Sequence, residues 1–175
     1  VVVDGNLRRD TLDYALDLAV GVRTVFEPVS VPKAAGLKDA IDARVYVVTP
    51  NRDELAALTD LPTRTDRQLQ TAARELHGRG VELVWVRLGE RGSILSTVDE
   101  IVEIPAVATV VEDVTGAGDS MAGAFCHGLL QGGSAEEAAR LGHAAAALTI
   151  ASPHTVRPDL TPRLLRSALD QENHS

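Results

Sequence analysis

Cysteine is almost absent. Cys126 is the only one in 175 residues, so no internal disulfide can form and a four-thiolate zinc site is excluded. Such a chain suits a reducing compartment, and the cytoplasm is its expected location. No apolar run approaches the roughly 20 residues needed to span a bilayer, so no membrane partner is expected. Lys and Arg nowhere cluster and the formal net charge is −8, which argues against nucleic acid as the main partner and for a small-molecule ligand. The opening VVVDGN has neither the charged leader nor the cleavage site of a signal peptide. It also lacks a starting Met, as expected of a sequence that begins within a longer protein. There is no GxxxxGK[ST], so this is no P-loop enzyme, and no early GxGxxG follows a strand, which weighs against a dehydrogenase. No repeat, low-complexity tract or Pro/Ser-rich linker divides the chain.

What is present is ordinary for a globular protein: 45% hydrophobic and 24% charged residues, enough to bury a core at this length. Short Val/Ile-rich runs alternate with segments of helical period, the signature of βα units and a mostly parallel sheet in a three-layer α/β fold. Strands are expected at residues 1–3 (buried), 22–26, 45–48 and 83–87, with helices at 11–20, 34–41, 53–59 and 66–77. The pattern then changes. Residues 93–96 and 100–104 read as an antiparallel hairpin at the sheet's edge. From residue 117 the chain is helical, in segments 117–130, 134–150 and 161–169, and Ser134 followed by Glu137 predicts a capping box.

The stretch most loaded with chemistry is Asp113-Val114-Thr115-Gly116-Ala117-Gly118-Asp119. Gly116 and Gly118 let the backbone turn tightly beside a ligand, and the helix that follows presents unpaired N–H groups and a positive dipole end, an anion hole. Asp119 in the first helical turn can act there as a general base, taking the proton of an attacking hydroxyl while the amides hold a transferring phosphoryl group. The alternative is that Asp119 only favours the helix start. After the strand at 45–48 stands Thr49-Pro50-Asn51-Arg52-Asp53-Glu54, where Asn51 and Glu54 share one helix face. An amide and a carboxylate at the carboxyl end of a parallel strand can order water around Mg²⁺ and contact nucleotide phosphates; equally, they can form a capping box. Arg87-Leu88-Gly89-Glu90-Arg91-Gly92 is a glycine-bearing turn that lets backbone pass close to a phosphate or ribose, or an ordinary turn.

Taken in order, these three stretches resemble the C-terminal half of the pfkB, or ribokinase, family of carbohydrate kinases. DVTGAGDSMAGAF, at residues 113–125, fits the family's C-terminal signature, Asn51 to Glu54 its NxxE, and Leu88 to Gly92 its LGxxG. The resemblance covers essentially residues 1–175. It implies a ribokinase-like, Rossmann-like αβα fold, with Asp119 as catalytic base, the amides of Gly116, Ala117 and Gly118 as anion hole, and Asn51 with Glu54 as organisers of Mg²⁺ and phosphate. It further implies ATP as co-substrate, a monovalent cation such as K⁺ at Asp113 and Thr115, and adenine contacts at Gly89, His143, Ala146 and Ala147. His143 stands where the family often has Asn, and Arg87 where it often has Thr.

Residues 25–34 and 154–160 look like the pseudouridine kinase branch, which makes pseudouridine the favoured acceptor, ahead of ribose, fructose or another nucleoside. The first of these stretches also reads as a proline-bent loop, with Lys33 solvated. The family's N-terminal half, which carries the early Gly-Gly motif, most of the acceptor pocket and a β lid, is not found before Val1. An exposed sheet edge at residues 1–3 would invite pairing with another chain, making a homodimer one expected assembly. Two functions remain in view: an ATP-dependent kinase of a sugar or nucleoside, and a nucleotide-binding module without turnover. Trp85 and Phe125 read as core, His77 and His127 lack partners at metal-ligand spacing, and Cys126 reads as a small buried hydrophobe.

Overall fold

A computed structural model describes residues 1–155 and 157–172 of the chain, which fall into two compact units. The first comprises Val1–Leu88 with Ser93–Glu103, the second Gly89–Gly92 with Ile104–Ser175. The chain forms a six-stranded sheet in sequential order: β1 (Val2–Asp4), β2 (Val25–Glu27), β3 (Val47–Val48), β4 (Leu83–Arg87), β5 (Ser93–Ser96) and β6 (Ile101–Ile104). Strands β1 to β4 pair in parallel and β4 pairs antiparallel with β5. This is the mostly parallel sheet with an antiparallel edge that the apolar rhythm predicts.

In the first unit α1 (Arg9–Leu18), α2 (Val31–Leu37), α3 (Arg52–Thr59) and α4 (Asp66–Gly78) connect the parallel strands. Strand β4 is buried along LVWV because its neighbours cover both sides, and Trp85 Nε1 finds its acceptor on Ser93 Oγ, 2.8 Å away on β5. Helix α4 is set by Thr65 and Gln68, whose side chains cap each other's backbone, and it buries Leu69, Ala72, Ala73 and Leu76 at spacings of three and four. His77 spends both ring nitrogens structurally, on Val81 O at 2.8 Å and Ser96 Oγ at 3.0 Å.

Several boundaries move, each for a local reason. The buried strand expected at residues 1–3 is only partly buried: Val1 and Val2 are 55% and 57% exposed and Val3 alone joins the core. The helix expected from residue 34 begins at Val31, because Pro32 near its start supplies a helical φ and needs no donor; it stops at Leu37 and continues as a 3-10 turn over Lys38–Ala40. The strand expected at 22–26 runs Val25–Glu27 instead, carrying an acidic residue to its carboxyl end. Strand β3 is shorter than 45–48 because Val45 N–H closes a turn onto Asp42 O.

The second unit is helical: α5 (Ala117–Leu130), α6 (Ala135–Ile150) and α7 (Pro162–Glu172). Ser134 and Glu137 form the expected capping box at the start of α6. One core cluster of this unit is built from Ala124, Ala144, Ala145 and Leu165; the small alanines let α5 and α6 approach closely, and Leu165 comes from α7. Trp85 and Phe125 are both fully buried. No helix among the described residues is long and apolar enough to cross a membrane.

Candidate active site

Parallel neighbours deliver their carboxyl ends to the same place, and in open α/β sheets that is where ligands bind. The register Phe26↔Val48 puts Glu27 beside Thr49, and the β3–β4 pairing continues past Val48↔Val84 to an isolated bridge between Asn51 and Arg87. Three charged side chains therefore converge. Arg87 Nη2 lies 2.6 Å from Glu27 Oε1 and 3.4 Å from Glu54 Oε2. Thr49 Oγ1 donates to Glu27 Oε2 at 2.5 Å, and Arg87 N–H donates to Pro50 O at 2.8 Å. The side chains of Arg87, Glu27 and Glu54 are only 17%, 16% and 4% exposed.

Asn51 and Glu54 take up their reciprocal cap in full: Asn51 Oδ1 accepts from the N–H groups of Asp53 and Glu54 at 2.9 Å, and Asn51 N–H donates to Glu54 Oε2 at 2.8 Å. Burial raises the Glu54 carboxyl above its ordinary range, opposed by the Asn51 N–H and by Arg87. Glu27 is a site residue that sequence reasoning missed. The available signal was an acid at the very end of an apolar strand, just before Pro28.

Beyond Pro28 the backbone is strained. Val29 has φ of 68° and Ser30 N–H closes a three-residue γ-turn onto Pro28 O at 2.8 Å, an uncommon conformation for a β-branched residue. Val29 N–H lies 3.4 Å from Glu27 Oε1, so the turn helps hold that carboxylate. Lys33, expected to be solvated, hydrogen-bonds Asn6 Oδ1.

The second unit carries the other half of the expected chemistry. Asp113 Oδ1 accepts from Thr115 N–H at 2.8 Å and Thr115 Oγ1 at 2.7 Å, and these bonds lower its pKa. Gly116 then turns the chain with φ of 80°, and a Cβ there would lie 2.0 Å from Thr155 O. Only glycine fits. Ala117 N–H reaches Val114 O at 3.3 Å, while the N–H groups of Gly116, Gly118 and Asp119 make no hydrogen bond among the described residues. Asp119 is exposed in the first turn of α5, on the lining of a cleft of about 370 Å³ shared with Gly116, Ser120, His127, Thr155 and Leu165. Ser120, not singled out from sequence, locks this junction: its Oγ donates to Gly116 O at 2.9 Å and accepts from Thr149 Oγ1 on α6 at 2.8 Å.

Residues 3–162 match the model of the pfkB family carbohydrate kinases. The chain belongs to this family. It is 40% identical over 120 residues to a 1-phosphofructokinase from Haloferax volcanii, covering 69% of this chain and 39% of that protein. It is also 40% identical over 116 residues to a ribokinase from Arabidopsis thaliana, covering 65% of this chain and 30% of that protein. The solved structure of Arabidopsis ribokinase with ribose and ATP superposes with a TM-score of 0.80 at 28% identity, covering 97% of this chain and 54% of that one. The fold is ribokinase-like, and the matches span between 30% and 54% of the length of these relatives.

The Asp113 to Asp119 turn and the Asn51 to Glu54 cap both lie within the matched residues. Gly89, at the start of the LGxxG turn, has φ of 62° and is exposed with open space around it. On α6, Ala146 is half-buried and Ala147 buried, and His143 is buried with only 5% exposure. Burial, with a smaller contribution from Arg140, pushes the His143 pKa down to about 4. In the unfolded chain it returns to about 6.5, so the unfolded state binds the extra proton between these values. Stability is therefore full above pH 6.5 and is lost as pH falls toward 4, by up to about 3 kcal/mol in all. Urea unfolding should show the wild type weaker at pH 5 than at pH 7, and His143→Asn should remove most of that difference. Burial likewise pushes the Cys126 thiol up, as suits an inert packing residue.

Proposed function

We propose that this chain is the nucleotide-binding part of a kinase that transfers the γ-phosphoryl group of ATP to a hydroxyl of a sugar or nucleoside. The observation that carries the proposal is the junction at Gly116 to Asp119: amides at a helix start that are unpaired among the described residues, with the exposed Asp119 carboxylate in the same turn and a cleft beside it. Amides of this kind bind a phosphate and hold the charge that spreads over it during transfer. Asp119 takes the acceptor's proton as the hydroxyl oxygen forms its bond to the γ-phosphorus and the bond to the β-phosphate oxygen breaks. Ala117 joins the anion hole by exchanging its long bond to Val114 O for the ligand. Gly89, His143, Ala146 and Ala147 supply the nucleotide contacts, His143 as a neutral imidazole.

ATP brings Mg²⁺ as its counter-ion. A monovalent cation beside the anion hole is part of the same reading, with Asp113 Oδ2 and Thr115 Oγ1 offering oxygen atoms. Pseudouridine is the favoured acceptor on the strength of residues 25–34, whose γ-turn and Lys33–Asn6 bond give that stretch a fixed shape. The second stretch, 154–160, includes Val156, which lies outside the described residues. On this reading most of the acceptor pocket belongs to the family's N-terminal half, the enzyme works in the cytoplasm, and β1 offers an edge through which two chains could pair.

The test is ADP release with Mg-ATP and pseudouridine, ribose, fructose and adenosine, comparing the 175-residue chain with one extended upstream. Turnover in the extended form identifies the kinase and its acceptor. Nucleotide binding without turnover in either form would replace the proposal with a binding module.

A further inference from the structure

The carboxylates of Glu27 and Glu54 share a largely buried corner of the first unit, and each would repel the other if nothing cationic stood between them. The pattern of Asn51 and Glu54 suggests either organisers of hydrated Mg²⁺ or a helix cap; between Glu54 and Glu27 stands Arg87. A single nitrogen, Nη2, serves both acids, at 2.6 Å and 3.4 Å. This is how a point charge is used, not how the guanidinium fork usually grips a carboxylate, with two parallel bonds. Arg87 Nε is buried and makes no hydrogen bond among the described residues. Leaving a buried donor unsatisfied is costly, so the side chain is held where its charge is needed and not where its donors are best spent. Nor is Arg87 a roaming surface residue: it ends β4, and its backbone is tied to Pro50 O and bridged to Asn51.

From this we infer that Arg87 is the resident cation of the Glu27–Glu54 pair, so that the chain holds no divalent ion of its own at that place. A metal entering there would have to expel a permanently charged group or sit beside it, and Glu54 Oε2 is already committed to Asn51 N–H. Mg²⁺ asks for near-octahedral oxygen ligands with several waters, which this corner does not offer while Arg87 fills it. The inference deepens the Mg-ATP reading and rests on it for its functional sense: the metal used is the one the nucleotide carries, and Arg87 supplies the fixed positive charge at the strand ends.

The test needs no turnover, so it stands apart from the fate of the kinase proposal. Mn²⁺ alone is titrated into nucleotide-free protein and the free ion is followed by electron paramagnetic resonance, with melting temperature as a second readout. Wild type and Glu27→Gln should bind Mn²⁺ equally weakly. Arg87→Met should bind it at least about tenfold more tightly and melt higher with the ion present, and Arg87→Met with Glu27→Gln should lose both effects. Tight binding by wild type that Glu27→Gln or Glu54→Gln abolishes would overturn the inference. So would a folded Arg87→Met that binds no more Mn²⁺ than wild type. If Arg87→Met does not fold, the comparison of wild type with the two glutamine variants still decides.

Discussion

Asp119→Asn is expected to lower kcat by at least about 10²-fold in the form of the protein that turns over, while leaving affinity for ATP nearly unchanged. The substitution keeps shape and removes only the proton acceptor, and loss of a positioned general base is worth about 10²–10⁴ in rate. The Asp119 side chain is exposed and has no hydrogen-bond partner among the described residues, so little of the fold depends on it. The competing view, that Asp119 merely favours the start of α5, makes a different forecast. A carboxylate in the first helical turn contributes about 0.3–1 kcal/mol through the dipole, so that view expects a small loss of stability and no loss of rate beyond it. Measuring kcat, KM for ATP and urea stability on the same variant separates the two. Equal turnover would remove Asp119 from the catalytic role, whatever the stability change.

The sequence displayed the elements whose physics is local. Strand β4, strand β5 and helix α5 fall where periodicity placed them, since an apolar run between charged ends, or an Ala/Gly-rich run after a glycine turn, has few alternatives. The capping boxes at Asn51 and Ser134 are likewise written in neighbouring residues. Less visible was anything set by partners distant in sequence. Glu27 and Arg87 are 60 residues apart, and only the ordering of parallel strands brings them to 2.6 Å. Read alone, Glu27 is a polar residue before a proline and Arg87 a departure from a family pattern. The start of α2 was lost for another reason: Pro32 looks like a breaker in a one-dimensional reading, yet near the start of a helix it has no hydrogen bond to forfeit. The exposure of Val1 and Val2 reflects a third limit, because whether an apolar strand is central or marginal depends on neighbours it does not name.

Gly116→Ala should be strongly damaging to the second unit. Gly116 combines two demands that usually occur apart: φ of 80° and a neighbour, Thr155 O, only 2.0 Å from where a Cβ would stand. The left-handed conformation alone costs an L-residue about 1–2 kcal/mol. The clash adds to it, because its partner is backbone and cannot rotate away, for a total loss of about 2–3 kcal/mol. Relief would come by moving residues 115–118 off Thr155, which swings the N–H groups of Gly116 and Gly118 out of register with a phosphate. Nucleotide affinity should therefore fall by at least about tenfold along with stability. Gly36→Ala is the matched comparison: it lies within α2 with nothing inside 4 Å of the added methyl, so it should gain about 0.5–1 kcal/mol and leave nucleotide binding alone. Calorimetric titration with ATP analogues beside urea unfolding reads both quantities. If Gly116→Ala weakened the fold yet bound nucleotide as tightly as Gly36→Ala, the amides of that turn would not be the phosphate's ligands, and the anion hole would have to be sought elsewhere.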